Sequence, residues 1–191
     1  MAMRRGWGLG LAASLALGAA AILAAGLSAC ASAGPSPVAR EWVDLGNAWL
    51  DKGDWKRAGQ AYSRALALDP SFSGASYNLA RALTESGDYD RALKALDDLE
   101  KSDPGNVKII AARAYALYKK GDAKAALAAY RELLSLDEFA PDAVYNAALL
   151  ELSAGDASAA IADLKRLTEA KPDDGQAFLL QIGRASCRER V

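Results

Sequence analysis

WVDLGNAWLDKGDWKRAGQAYSRALALDP, residues 42–70, is the stretch that decides how this chain folds. Trp42, Leu45, Gly46 and Trp49 fall at i, i+3, i+4 and i+7, which is one stripe on a helix. Gly53 then offers the left-handed backbone that ends a helix, and Asp54 can accept N–H bonds at the start of the next. Trp55, Ala58, Tyr62 and Ala65 mark that second helix, and Asp69-Pro70 stops it. The stretch reads as two helices joined by a tight turn.

The same beat returns along the chain. Gly-Asp recurs at Gly53-Asp54, Gly87-Asp88, Gly121-Asp122 and Gly155-Asp156, every 34 residues, and an alanine follows each glycine at Ala58, Ala92, Ala126 and Ala160. The repeats are 39–72, 73–106, 107–140 and 141–174, with 175–181 as the start of a fifth. Asp103-Pro104 and Lys171-Pro172 stop the second and fourth units, whereas the third has Glu138 at the proline position and Pro141 at the next helix start.

This pattern resembles the tetratricopeptide repeat (TPR). Trp42, Leu45, Gly46, Trp49, Ala58, Tyr62, Ala65 and Pro70 match its signature in the first unit. Later units keep a small residue at Ala80, Ala114 and Ala148, with Leu96, Tyr130 and Leu164 at the helix B aromatic position and Arg113 at a helix A leucine position. Leu99, Leu133 and Leu167 stand where a small residue is usual. The resemblance implies an all-α fold, a right-handed α-solenoid of stacked helix-turn-helix repeats. One unit cannot bury its own apolar stripe, but stacked units can.

Working outward to the N-terminus, residues 1–29 carry Arg4 and Arg5, then an uncharged segment rich in Ala, Leu and Gly, then Leu27-Ser28-Ala29-Cys30. A positive start, an apolar core and small residues before a cut read as a secretory signal. The ending is similar to the lipobox of bacterial lipoprotein precursors. That resemblance implies a diacylglyceryl group on the Cys30 thiol and cleavage before it. Two or three acyl chains anchor stably, so the chain is expected to sit on a membrane through Cys30. Ala31 follows, and by the same resemblance points to the outer membrane facing the periplasm, or to the cell surface. Residues 30–38 read as the lipidated cysteine and a tether.

At the other end, residues 182–191 resemble one translated frame of a common DNA-sequencing adapter, so the native chain is expected to continue past 181. Removing Arg4 and Arg5 with the leader, and Arg184, Arg188, Glu189 and Arg190 with this tail, moves the net charge from −1 to −5. An acidic domain has no electrostatic footprint for nucleic acid. There is no histidine, and the two cysteines, Cys30 and Cys187, lie outside the repeats. The usual triads and zinc sites therefore cannot form, and neither a metal nor a cofactor is expected beyond the lipid. Asp97-Asp98 and Asp173-Asp174 read as solvated pairs.

In the TPR family, ligands lie in the groove lined by helix A. By register this surface carries Asn47 in the first unit, Tyr77, Asn78 and Arg81 in the second, Lys108, Tyr115 and Tyr118 in the third, and Tyr145 and Asn146 in the fourth. Tyrosine offers area and a hydrogen bond, and arginine pairs with carboxylates. The asparagines suit a peptide backbone. Some TPR domains clamp a terminal carboxylate with polar residues across three repeats. Asn47, Asn78 and Lys108 occupy three of those positions, but Val43 and Ala112 replace cations, so a true clamp is not expected. The expected function is a membrane-anchored scaffold for a protein or peptide partner in the bacterial cell envelope. The alternative is a docking arm for an envelope enzyme whose catalytic domain lies further on.

Overall fold

A computed structural model describes residues 34–136, 140–170 and 172. The leader, Cys30, the start of the fifth unit and the tail lie outside the described residues, as do Glu138, Lys171 and Asp173-Asp174. Among the described residues there are eight α-helices and no strand: α1 Pro37–Asp51, α2 Trp55–Leu68, α3 Ser73–Glu85, α4 Tyr89–Ser102, α5 Val107–Lys120, α6 Ala123–Leu136, α7 Pro141–Ser153 and α8 Ala157–Ala170. Pro37 and Val38, read as tether, belong to α1, because proline is accommodated in a first helical turn. No helix among the described residues is long and apolar enough to cross a membrane.

Each helix packs on its neighbours in the chain, and α3 also meets α5, which is the pattern of a stacked array. Gly53, Gly87, Gly121 and Gly155 all adopt positive φ, between 70° and 88°, so the turn between A and B helices has one shape throughout. Asp54, Asp122 and Asp156 accept the N–H of Arg57, Ala125 and Ala159 at 3.0–3.1 Å. Asp88 departs from this: its carboxylate accepts from Arg91 Nη1 at 3.0 Å and makes no backbone cap.

The small-residue position explains how A and B helices approach. Gly46, Ala80, Ala114 and Ala148 are all buried. A Cβ built on Gly46 would stand 2.5 Å from Cε1 of Tyr62, so glycine is what lets that ring lie against α1. Leu99, Leu133 and Leu167 are buried despite their size.

The first stripe differs from expectation at Leu45, which is 42 % exposed. Its counterparts Leu79 and Ala147 pack against clusters built from α2 and α6, the preceding B helices, and no described helix precedes α1. Trp42 and Trp49 are half-buried and take their cover from cations: Arg64 lies 4.8 Å from the Trp42 ring centre, and Arg57 and Lys52 lie 4.7 and 5.0 Å from that of Trp49. Arg113, at the same register as Leu45, replaces apolar packing by ion pairs. It reaches Glu100 of α4 at 3.4 Å and Glu132 of α6 at 2.6 Å.

Candidate functional site

Three hollows line the side presented by the A helices. One of about 290 Å³ lies where α1, α3 and α5 meet, with Leu50, Tyr77, Arg81, Glu85 and Tyr115 around it. Another of about 390 Å³, among α3, α4 and α5, brings Tyr77 beside Lys108. The third, about 590 Å³, is formed by α5, α6 and α7 and takes in Lys108, Tyr115, Tyr145 and Asn146. Six of the nine groove residues expected from register thus meet in a continuous run of hollows sharing Tyr77, Lys108 and Tyr115. A hollow of about 590 Å³ between α2, α3 and α4 contains none of them.

The other three groove residues stand apart. Tyr118 is 37 % exposed and borders none of these hollows. Asn47 is engaged inside the fold: its Oδ1 accepts from the Tyr62 hydroxyl at 2.7 Å and from Asn78 Nδ2 at 3.3 Å. The acceptor that register offered to a peptide at Asn47 is already used, and Asn78 is what it ties down. Helices A and B face each other across this point, and Tyr62 reaches over from α2 because Gly46 leaves room. Asn47, Asn78 and Lys108, candidates for a clamp, are therefore not gathered on one ligand position.

Electrostatics suit binding at neutral pH. Arg81 is exposed and makes no ion pair among the described residues. Burial raises the Tyr115 hydroxyl above its ordinary range, helped by a hydrogen bond and charge from Glu85 and opposed by Lys119. Lys119 stands 3.7 Å from Glu85 and 5.7 Å from the Tyr115 ring centre. Tyr62 is pushed up to about 12, chiefly by burial, with Arg81 acting against it. Asp97 and Asp98 are exposed, and Asp98 pairs with Lys101 at 2.8 Å, which holds its carboxyl below the usual range. Among the described residues no group of three or more His, Cys, Asp or Glu is placed to hold a metal.

Sequence reasoning missed Tyr130 and Trp55 as hollow-lining residues. Tyr130 and Trp55 come from B helices, which register assigns to packing, and their reach across to the A-helix side depends on how closely the helices approach.

Residues 35–142 match the family model described as cytochrome c-type biogenesis protein H TPR domain, and residues 111–175 match the tetratricopeptide repeat model. The chain belongs to the tetratricopeptide repeat family. No curated protein matches it. Several solved TPR structures share its fold. A TPR protein from Parabacteroides merdae is 20% identical with a TM-score of 0.66, covering 75% of this chain, which spans 58% of that structure. The 41-end fragment of MamA from Desulfovibrio magneticus is 18% identical with a TM-score of 0.65, covering 71% of this chain and 76% of its own. YrrB, described as a TPR protein with an unusual peptide-binding site, is 20% identical with a TM-score of 0.65, covering 76% and 74%. The TPR fold suggests a protein–protein interaction scaffold, and TPR repeat proteins are generally non-catalytic.

Proposed function

We propose that this chain is a lipid-anchored TPR scaffold of the bacterial cell envelope, holding an extended segment of a protein partner along its A-helix side. The observation that carries the binding half is the run of hollows joined at Tyr77, Lys108 and Tyr115, beside an Arg81 that makes no ion pair among the described residues. Tyrosine rings give area at low entropic cost, and an arginine at their edge gives direction to a carboxylate or carbonyl. The neighbour described by its peptide-binding site supports the class of ligand. The anchoring half is supported by Leu27-Ser28-Ala29-Cys30 at the end of an uncharged leader.

The two halves are tested separately. Cells fed radiolabelled palmitate should label the full chain, and Cys30→Ser should lose both the label and the membrane fraction. Unlabelled wild-type protein refutes the anchor. For the groove, a photocrosslinking residue placed at Arg81 should capture a defined envelope protein, and Arg81→Ala with Tyr115→Ala should reduce its recovery without unfolding the array. Recovery unchanged by the double variant refutes binding on this side.

A further inference from the structure

We infer that the hollow between α5, α6 and α7 is a discrete peptide subsite, taking one apolar side chain and the main-chain carbonyl beside it. The inference rests on the groove reading above and names where the ligand is held. It starts from a contrast between two equivalent places in the array. In the first unit the Tyr62 hydroxyl donates to Asn47, which also accepts from Asn78. Two repeats on, Tyr130 stands for Tyr62, Asn146 for Asn78, and Tyr115 for Asn47. The asparagine acceptor is gone. Tyr130 is 2% exposed, and its buried hydroxyl donates to no acceptor among the described residues.

A buried hydroxyl left unmade is costly, so its presence at a cavity wall asks what completes it. Burial, with the charges of Tyr118, Tyr115 and Asp142, keeps this hydroxyl protonated, while the Asn146 side chain, donating to its oxygen, acts the other way; all four groups come from A helices, and the O–H proton is what lacks an acceptor. Its polar end is therefore on the groove side. The rest of the wall is mostly apolar, with Val107, Ala111, Leu133, Pro141 and Ala143. Such a wall takes an apolar side chain. The lining carries Asp142, which disfavours an anion, and Lys108, which disfavours a cation, so the missing acceptor is a neutral carbonyl. Asn146, with a donor and an acceptor on one side chain, matches the adjacent peptide unit. At the first unit the same place is closed, because Asn47 already satisfies the tyrosine.

The probe is N-acetyl-leucine-N-methylamide, titrated into the ¹⁵N-labelled full chain and followed by amide shifts. Saturable shifts centred on Ala111, Ala143 and Asn146 are expected. Tyr130→Phe should weaken binding about 3–10-fold, the worth of one hydrogen bond, with little loss of thermal stability, since the hydroxyl removed donates to no acceptor among the described residues of the free protein. Tyr115→Asn should weaken binding similarly while raising stability, by giving Tyr130 the acceptor that Tyr62 has. Tyr62→Phe should lower stability and leave binding unchanged. The subsite is wrong if the probe fails to bind, if Tyr130→Phe binds as well as wild type, or if N-acetyl-aspartate-N-methylamide binds more tightly. Partner crosslinks at Arg81 that persist alongside any of those results would leave the groove reading standing and remove only this subsite.

Discussion

Gly46→Ala tests the packing argument most sharply, because two effects of opposite sign compete at one atom. Gly46 lies inside α1, where alanine is the better helix former by about 1 kcal/mol. Against this, the new Cβ would meet Tyr62 at 2.5 Å from Cε1 and 2.8 Å from Cδ1 and Cζ. The ring is fully buried and its hydroxyl is held on Asn47 at 2.7 Å, so it cannot yield without cost. The array itself shows one relaxed outcome. Ala114 faces Tyr130, and there the hydroxyl donates to no acceptor among the described residues. A ring displaced in that manner at Tyr62 gives up its hydrogen bond and leaves a buried hydroxyl unmet, which costs about 1–3 kcal/mol, and overpacking alone costs a similar amount. The net expectation is a loss of about 1–2 kcal/mol after the helix gain is subtracted. The assay is urea unfolding followed by two signals. Tryptophan fluorescence reports the first unit, because Trp42, Trp49 and Trp55 are the only tryptophans beyond the leader, while far-ultraviolet circular dichroism reports the whole array. Repeating Gly46→Ala in a Tyr62→Leu background, the Ala80–Leu96 pairing of the second unit, should turn the change neutral or stabilising. A stabilising Gly46→Ala in the native background would refute the close-approach argument.

Three further outcomes follow from the same structure. Asp122→Ala should cost about 1 kcal/mol through loss of the cap on Ala125 N–H, whereas Asp88→Ala, with no such bond to lose, should cost clearly less by chemical denaturation. Arg113→Ala should lower stability by about 1 kcal/mol in low salt by opening the contacts to Glu100 and Glu132, and Arg113→Leu should recover part of it by restoring apolar packing; an Arg113→Ala as stable as wild type would mean that the ion pairs contribute nothing. Tyr62 has its folded pKa raised from 10.0 to about 12, so the stability it contributes is fully present below pH 10 and is lost as pH rises toward 12; Tyr62→Phe should flatten that alkaline decline, measured by thermal melts across the range.

The repeat length, the helix pairs and the turns were legible because they rest on short-range chemistry. Glycine at positive φ, an aspartate at an N-terminus and a proline after a helix act within a few residues, and a beat of 34 makes the first two visible four times and the proline three. The exceptions are as local as the rule, but not readable in advance: whether Asp88 caps a backbone N–H or takes Arg91 depends on a side-chain choice between nearly equal partners. Register also placed Tyr77, Arg81, Lys108, Tyr115, Tyr145 and Asn146 on one side, and the structure joins them through shared hollows.

What the sequence by itself determined is the set of helices and their order, since each is fixed by contacts close along the chain. Only the tertiary structure decided which side chains cross between them. Leu45 and Arg113 share a register, yet one is left exposed and the other clasped between Glu100 and Glu132, because among the described residues only the second has a preceding B helix beside it. Tyr62 and Tyr130 share a register too, and the exchange of Asn47 for Tyr115 separates a hydroxyl with an acceptor from one that has none among the described residues. Those differences are made of distances between helices, and a repeat pattern, which treats equivalent positions as alike, does not contain them.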